Sequence, residues 1–194
     1  MRFVVIDGKK LGLVIIVCGL MVVLFAAGLQ FDSRIRSTAF IQSNLGELKS
    51  YASKEQNFTY KLPVKWTTVE QNFSGGEILY HNDFKSDDEH IHGFVEVWDN
   101  AGDLKTFLIN SGEISKKQNE IRNYKIENIK INNKEGFDVT YDTVMPDDVV
   151  YKAYEYFIKD TNKFIRFSYY VKERDFKNNM PTIFKTIVQT LNYK

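Results

Sequence analysis

The sequence predicts an α+β domain, an antiparallel sheet flanked by helices, preceded by one transmembrane helix. Three observations carry this reading: an uncharged apolar run near the N-terminus, period-two alternation through the second half of the chain, and an amphipathic helical pattern at the C-terminus. Of 194 residues, 43% are hydrophobic and 26% charged, with Lys+Arg 26 against Asp+Glu 25. Those proportions exclude disorder, and the net charge of +1 leaves no electrostatic footprint for nucleic acid. The mean hydropathy of -0.33 averages two unlike regions.

The first region is Leu11 to Phe31, LGLVIIVCGLMVVLFAAGLQF, twenty-one residues without a charge. At about 1.5 Å per residue it spans roughly the 30 Å hydrocarbon core of a bilayer. No polar stripe divides it, as one would in a helix packed on a soluble core. Residues 11–31 therefore read as a transmembrane helix whose partner is membrane lipid. Residues 1–10 form a short head with Arg2, Lys9 and Lys10 against Asp7, while Asp32, Arg34 and Arg36 follow the run. Three basic residues before and two after favour a cytoplasmic N-terminus, so the rest of the chain is expected outside the cytoplasm at the cell membrane. Ala26-Ala27-Gly28 has the small residues of a signal-peptidase site, and cleavage after Gly28 is the competing outcome. Cys18, the sole cysteine, follows Val17, too bulky for a lipoprotein signal, so it reads as a small apolar helix residue. The exported part then has no thiol, and an intramolecular disulfide is impossible. The abundance of Lys, Asn and Ile with few Arg, Pro and Cys resembles the usage of a low-GC bacterium.

Ile35, Ile41, Leu45, Leu48 and Tyr51 recur at spacings close to three and four, which predicts a juxtamembrane helix or stalk over 32–56. A domain over 57–194 follows. Phe58 to Leu62 alternates as a strand stopped by Pro63, and Trp66 to Val69 begins a second extended piece. Ile78 to Phe84 and Ile91 to Trp98 form strands around the polar loop Lys85 to Glu89, a hairpin. Asn100 to Asp103 starts a helix of about ten residues, with Leu104, Phe107 and Leu108 on its apolar face. Strands ending at Ile131, spanning Phe137 to Tyr141, Val150 to Ile158 and Phe164 to Val171 are joined by short turns. Parallel neighbours would need longer crossovers, so these four form an antiparallel meander. Asn179, Pro181 and the apolar positions Met180, Ile183, Phe184, Ile187, Val188 and Leu191 describe the closing helix.

The string Phe58-Thr59-Tyr60-Lys61-Leu62-Pro63-Val64-Lys65-Trp66, with the Met180 to Leu191 helix after a meander, resembles the PsbP-like family, whose fold is shared with the Ran-nucleotide-release factor group. The resemblance covers about residues 56–194. It implies an α/β/α sandwich around an antiparallel sheet and accessory or scaffolding roles rather than catalysis. Photosynthetic members are lumenal proteins that assist photosystem II. This chain departs from them in its membrane anchor, so the photosynthetic role does not carry over.

All three histidines fall in one hairpin, His81 with Asp83 on its first strand and His90 and His92 around the second. Pairing Phe84 with Ile91 would gather His81, Asp83, His90 and His92 on one face, a candidate metal centre for zinc. The alternative is a solvated hairpin tip, and a one-residue slip would send His81 to the other face. No exported cysteine, G-x-S-x-G elbow or P-loop is present, and Asp87/Asp88 and Asp147/Asp148 sit in turns where solvation accounts for them. Tyr151, Tyr154, Tyr156, Phe164, Phe167, Tyr169 and Tyr170 crowd two strands, either covered by helices on both faces or leaving a tyrosine groove for a protein or glycan.

Without the first 36 residues the chain carries 21 basic and 23 acidic residues, a net charge of -2. The expected function is a non-catalytic binding or assembly module, without a cofactor, for an envelope or membrane protein partner. The alternatives are a metal-binding or metal-dependent module built on the histidine hairpin, and a self-associating envelope structural protein.

Overall fold

Apolar and polar alternation, interrupted by turn residues, cuts most of the chain into antiparallel strands. The computed structural model describes residues 45–53, 55, 57–99 and 102–193. The expected head, transmembrane helix, cleavage site and first part of the stalk lie outside the described residues. Among the described residues no helix is long and apolar enough to cross a membrane.

Strands β1 (Leu48–Ser53), β2 (Phe58–Pro63) and β10 (Asn192–Tyr193) make a small sheet in the order β1-β2-β10. Strands β3 (Thr67–Gln71), β4 (Ile78–Lys85), β5 (Ile91–Asp99), β6 (Glu120–Ile131), β7 (Lys134–Val144), β8 (Val150–Asp160) and β9 (Lys163–Lys172) make a seven-stranded sheet. Its order is β3-β4-β5-β9-β8-β7-β6, antiparallel throughout. The meander β6 to β9 is the expected one, and the β4–β5 hairpin joins it through β9.

Helix α1 (Leu104–Gln118) is longer than the expected ten residues. Asp103 caps it by accepting from the Thr106 N–H at 2.9 Å, and Lys116 and Lys117 complement the dipole in its last turn. Helix α2 (Met180–Val188) carries Pro181 in its first turn, where the missing N–H costs nothing.

The expected helix over 32–56 is corrected from Leu48 onward. Leu48 and Tyr51 lie in β1, paired to Pro63 and Tyr60 of β2, and the folded unit begins at Leu45. Tyr51 stacks on Tyr60 with ring centroids 5.6 Å apart, a cross-strand contact that gives the segment a reason to be extended.

Two hydrophobic layers flank the large sheet. On one side β2 and α2 cover it: Phe58, Tyr60 and Leu62 are buried, Tyr60 meets Phe167 edge-on at 5.7 Å, and Phe184 stacks on Tyr169 at 4.3 Å. On the other side Leu104 and Leu108 of α1 pack on Phe137, Val139, Phe157 and Phe164. Gly112 sets the depth of that helix, since a Cβ there would lie 2.7 Å from Cζ of Tyr124. Gly93 does the same between strands: a Cβ would collide with the Ser168 carbonyl oxygen, so β5 and β9 need hydrogen at this position.

Candidate functional site

The α1 face of the large sheet carries charges inside apolar strands. Glu96 interrupts Phe94 to Trp98, Glu155 interrupts Tyr154 to Phe157, and Arg166 interrupts Phe164 to Phe167. Alternation brings all three to one face, and register places Glu96 opposite Arg166 and Glu155 opposite Ser168. The two carboxylates are each only 6% exposed. Arg166 bridges them, with Nη1 to Glu96 Oε2 at 3.4 Å and Nη2 to Glu155 Oε1 at 2.6 Å. Glu96 also accepts from Trp98 Nε1 at 2.7 Å and meets His81 Nδ1 at 2.8 Å. Glu155 Oε1 accepts from Tyr170, Tyr141 and Ser168 at 2.7, 3.1 and 3.3 Å. Buried charges survive only when paired in this way.

The network shapes its own electrostatics. Burial works against the Arg166 charge, yet Glu155, with Tyr170 and Glu96 behind it, holds the guanidinium above its ordinary range. Burial and the Glu155 charge push the Tyr141 and Tyr170 phenols well up, so both act as donors. Burial and the same carboxylate raise Tyr124 to about 12.

Over this floor lies a cavity of about 410 Å³. Arg166, Glu155, Tyr141 and Tyr170 reach it from the sheet, Ser111, Gly112 and Ser115 from α1, and Trp98 and Tyr124 from its sides. A second, more apolar groove of about 590 Å³ adjoins it, with Phe94, His92, Met145 and Tyr151 along it. Thr143 and Tyr170 line both. The crowd of aromatic residues divides accordingly. Tyr156, Phe164, Phe167 and Tyr169 are buried, Tyr154 packs on Phe176 and Phe184, and Tyr151 and Tyr170 line the groove.

The hairpin register differs from the expected one by two residues. Phe84 pairs with Gly93, not Ile91, because the turn Ser86 to His90 is closed by Ser86 N–H to Ile91 and Glu89 N–H to Ser86. A shift of two preserves the faces, so His81, Asp83 and His92 still share one, but it moves them apart along the strands. His81 opposes Glu96, and its Nε2 meets Asp83 Oδ1 at 2.9 Å. Asp83 in turn accepts from the Gln71 amide. His92 opposes Lys85 and Tyr170 and stacks on the Tyr170 ring at 5.6 Å. Desolvation there and the nearby Lys172 charge lower its pKa. His90 sits in the turn, 3.5 Å from Asp88. The three imidazoles are thus not gathered. Among the described residues no group of three or more His, Cys, Asp or Glu side chains is arranged to hold a metal. Both nitrogens of His81 are already engaged by carboxylates.

No family model matches the sequence, and no curated protein matches it. Solved structures do share the architecture. The chain is similar to the solution structure of cyanobacterial PsbP (CyanoP) from Synechocystis sp. PCC 6803, with a TM-score of 0.59 and 12% identity over 76% of this chain and 92% of that one. It is also similar to a crystal structure from Bacteroides thetaiotaomicron VPI-5482, with a TM-score of 0.51 and 14% identity over 75% of this chain and 48% of that one. The fold is therefore α+β and PsbP-like, as the opening strand and closing helix imply. At such identities the likeness carries architecture alone.

Proposed function

We propose that this protein is a binding or assembly module without catalytic activity of its own, anchored in the cell membrane by residues 11–31, with the N-terminus cytoplasmic and the PsbP-like domain outside. The observation that carries the binding reading is the cleft on the α1 face, whose charged floor is held in place by its own hydrogen bonds. A general acid or base needs a proton site aimed at substrate. Here Glu155 Oε1 already takes four donors, and Glu96 is engaged at both oxygens. Such a floor is a rigid, polar template for recognition rather than a relay.

The accessory roles of the PsbP-like family favour the same reading. The uncharged run and its basic preface support the anchor and its orientation. Tethering would raise the effective concentration of the cleft toward an envelope or membrane protein.

Intact cells carrying a photo-crosslinking residue at Tyr151, beside the cleft, test this. The expected result is one discrete crosslinked envelope protein, absent when the probe replaces Lys61 on the small sheet, and digestion of the domain by protease added outside. Identical products from both positions would overturn the cleft as the binding face, and protection from the protease would overturn the orientation.

A further inference from the structure

The charges around the cavity do not balance, and the imbalance identifies a ligand chemistry. Asp83, Glu96 and Glu155 form one bonded chain with His81 and Arg166. Asp83 is 39% exposed and screened by solvent, but at the buried centre two carboxylates, Glu96 and Glu155, share one guanidinium. Glu96 and Glu155 are buried, so the surplus acid lies where water screens it poorly. Lys116 of α1 lies 5.4 Å from the Tyr124 ring centroid and is paired to Glu113 at 3.0 Å.

Two atoms show where a ligand would attach. All four donors to Glu155 converge on Oε1, and none of those bonds involves Oε2. Arg166 Nε is a buried donor without a hydrogen-bond partner, although Arg166 lines the cavity. Leaving such an N–H unmet is costly, so an incoming oxygen there is favourable. The walls add Trp98, Tyr124 and Tyr141, whose ring faces attract cations.

We infer that the cavity beneath α1 binds a small primary ammonium bearing a neighbouring hydroxyl or carbonyl oxygen, the ammonium toward Glu155 and the oxygen toward Arg166 Nε. Anions are rejected because Arg166 already stands between two carboxylates. The volume of about 410 Å³ admits one hexosamine or a smaller amino alcohol. Amino sugars and ethanolamine headgroups share this chemistry. The inference rests on the cleft being the binding face and adds what fills it.

The test uses the full-length protein in detergent and phosphate buffer free of Tris, itself an amino alcohol. Intrinsic tryptophan fluorescence, to which Trp98 at the cavity contributes, and calorimetry follow titration with D-glucosamine, ethanolamine, D-glucose and D-glucuronate. Expected is saturable binding of glucosamine or ethanolamine, at least about tenfold tighter than glucose, as one poorly screened charge contact gives, with no binding of glucuronate. The preferred amine distinguishes a glycan source from a lipid headgroup. Ser115→Phe at the cavity mouth should abolish the response while the circular dichroism spectrum is unchanged, and a folded Glu155→Gln variant should lose the preference for the amine. Equal affinity for glucose, tighter binding of glucuronate, no response to either amine, or an unaltered response in Ser115→Phe would each overturn the inference. If the Tyr151 crosslink persists in that event, only the ligand chemistry falls; if it is lost as well, so does the binding face.

Discussion

The α2 face of the large sheet is closed by rings and aliphatic side chains, whereas the α1 face mixes an apolar patch with a charge network and a cavity. On the first, Phe184, Tyr169, Phe167 and Tyr60 are all at 0% exposure. On the second, helix α1 buries only Leu104, Leu108 and Gly112. One sheet thus divides its labour: close packing on one side supplies cohesion, and the other side keeps polar groups in fixed positions around an opening.

The contrast is broken most directly by removing one anchor from each side. Phe184→Ala should destabilise the domain by about 4 kcal/mol and Leu108→Ala by about 2, the latter beside a space that already exists. Urea unfolding measures both, and equal losses would mean that the faces do not differ. Arg166→Met comes next, at about 3 kcal/mol, because it leaves two buried carboxylates facing each other. Adding Glu155→Gln to that variant should restore part of the loss, whereas a purely steric role for Arg166 would give no recovery.

Smaller effects probe flaws in the closed face. The Tyr169 hydroxyl is buried without a hydrogen-bond partner. Tyr169→Phe should therefore raise stability by about 1 kcal/mol, since the ring stacking is retained and an unmet donor disappears. Asp138 on β7 is held up at about 6 by burial, with Glu127 raising it further against Lys185 and Lys125. Its folded pKa lies above the unfolded value of 3.8, so its favourable contribution is complete below that pH and is lost as pH rises through about 6. Asp138→Asn should raise the melting temperature above pH 6 and leave it unchanged near pH 4. A uniform shift across that range would show that Asp138 does not titrate as its surroundings imply.

Alternation made most of this legible beforehand. Phe137, Val139 and Tyr141 against Asp138, Thr140 and Asp142 announce a strand with one buried side, and the pattern places β2 to β9 and α2 correctly. It fails for β1, where Leu48 and Tyr51 are three apart and both only partly covered, a spacing that helices share. It fails for β10, two residues whose pairing with β2 spans most of the chain. The site was half legible. His81 and Asp83, two apart on β4, share a face in any register, but Glu96, Glu155 and Arg166 come from three strands whose adjacency only the sheet order reveals. A usable signal was present in each: a charge flanked on both sides by apolar or aromatic residues within a strand, a residue that must find a partner across the sheet.

The small sheet has a consequence in time. Its central strand is made early, yet Thr59 of β2 waits for Asn192, 133 residues later, before its second edge is covered. At ordinary rates of synthesis that interval is on the order of ten seconds. A chain made N-terminus first cannot close this clasp until Asn192 and Tyr193 arrive, so a chain lacking those two residues leaves one edge of β2 open in every molecule made.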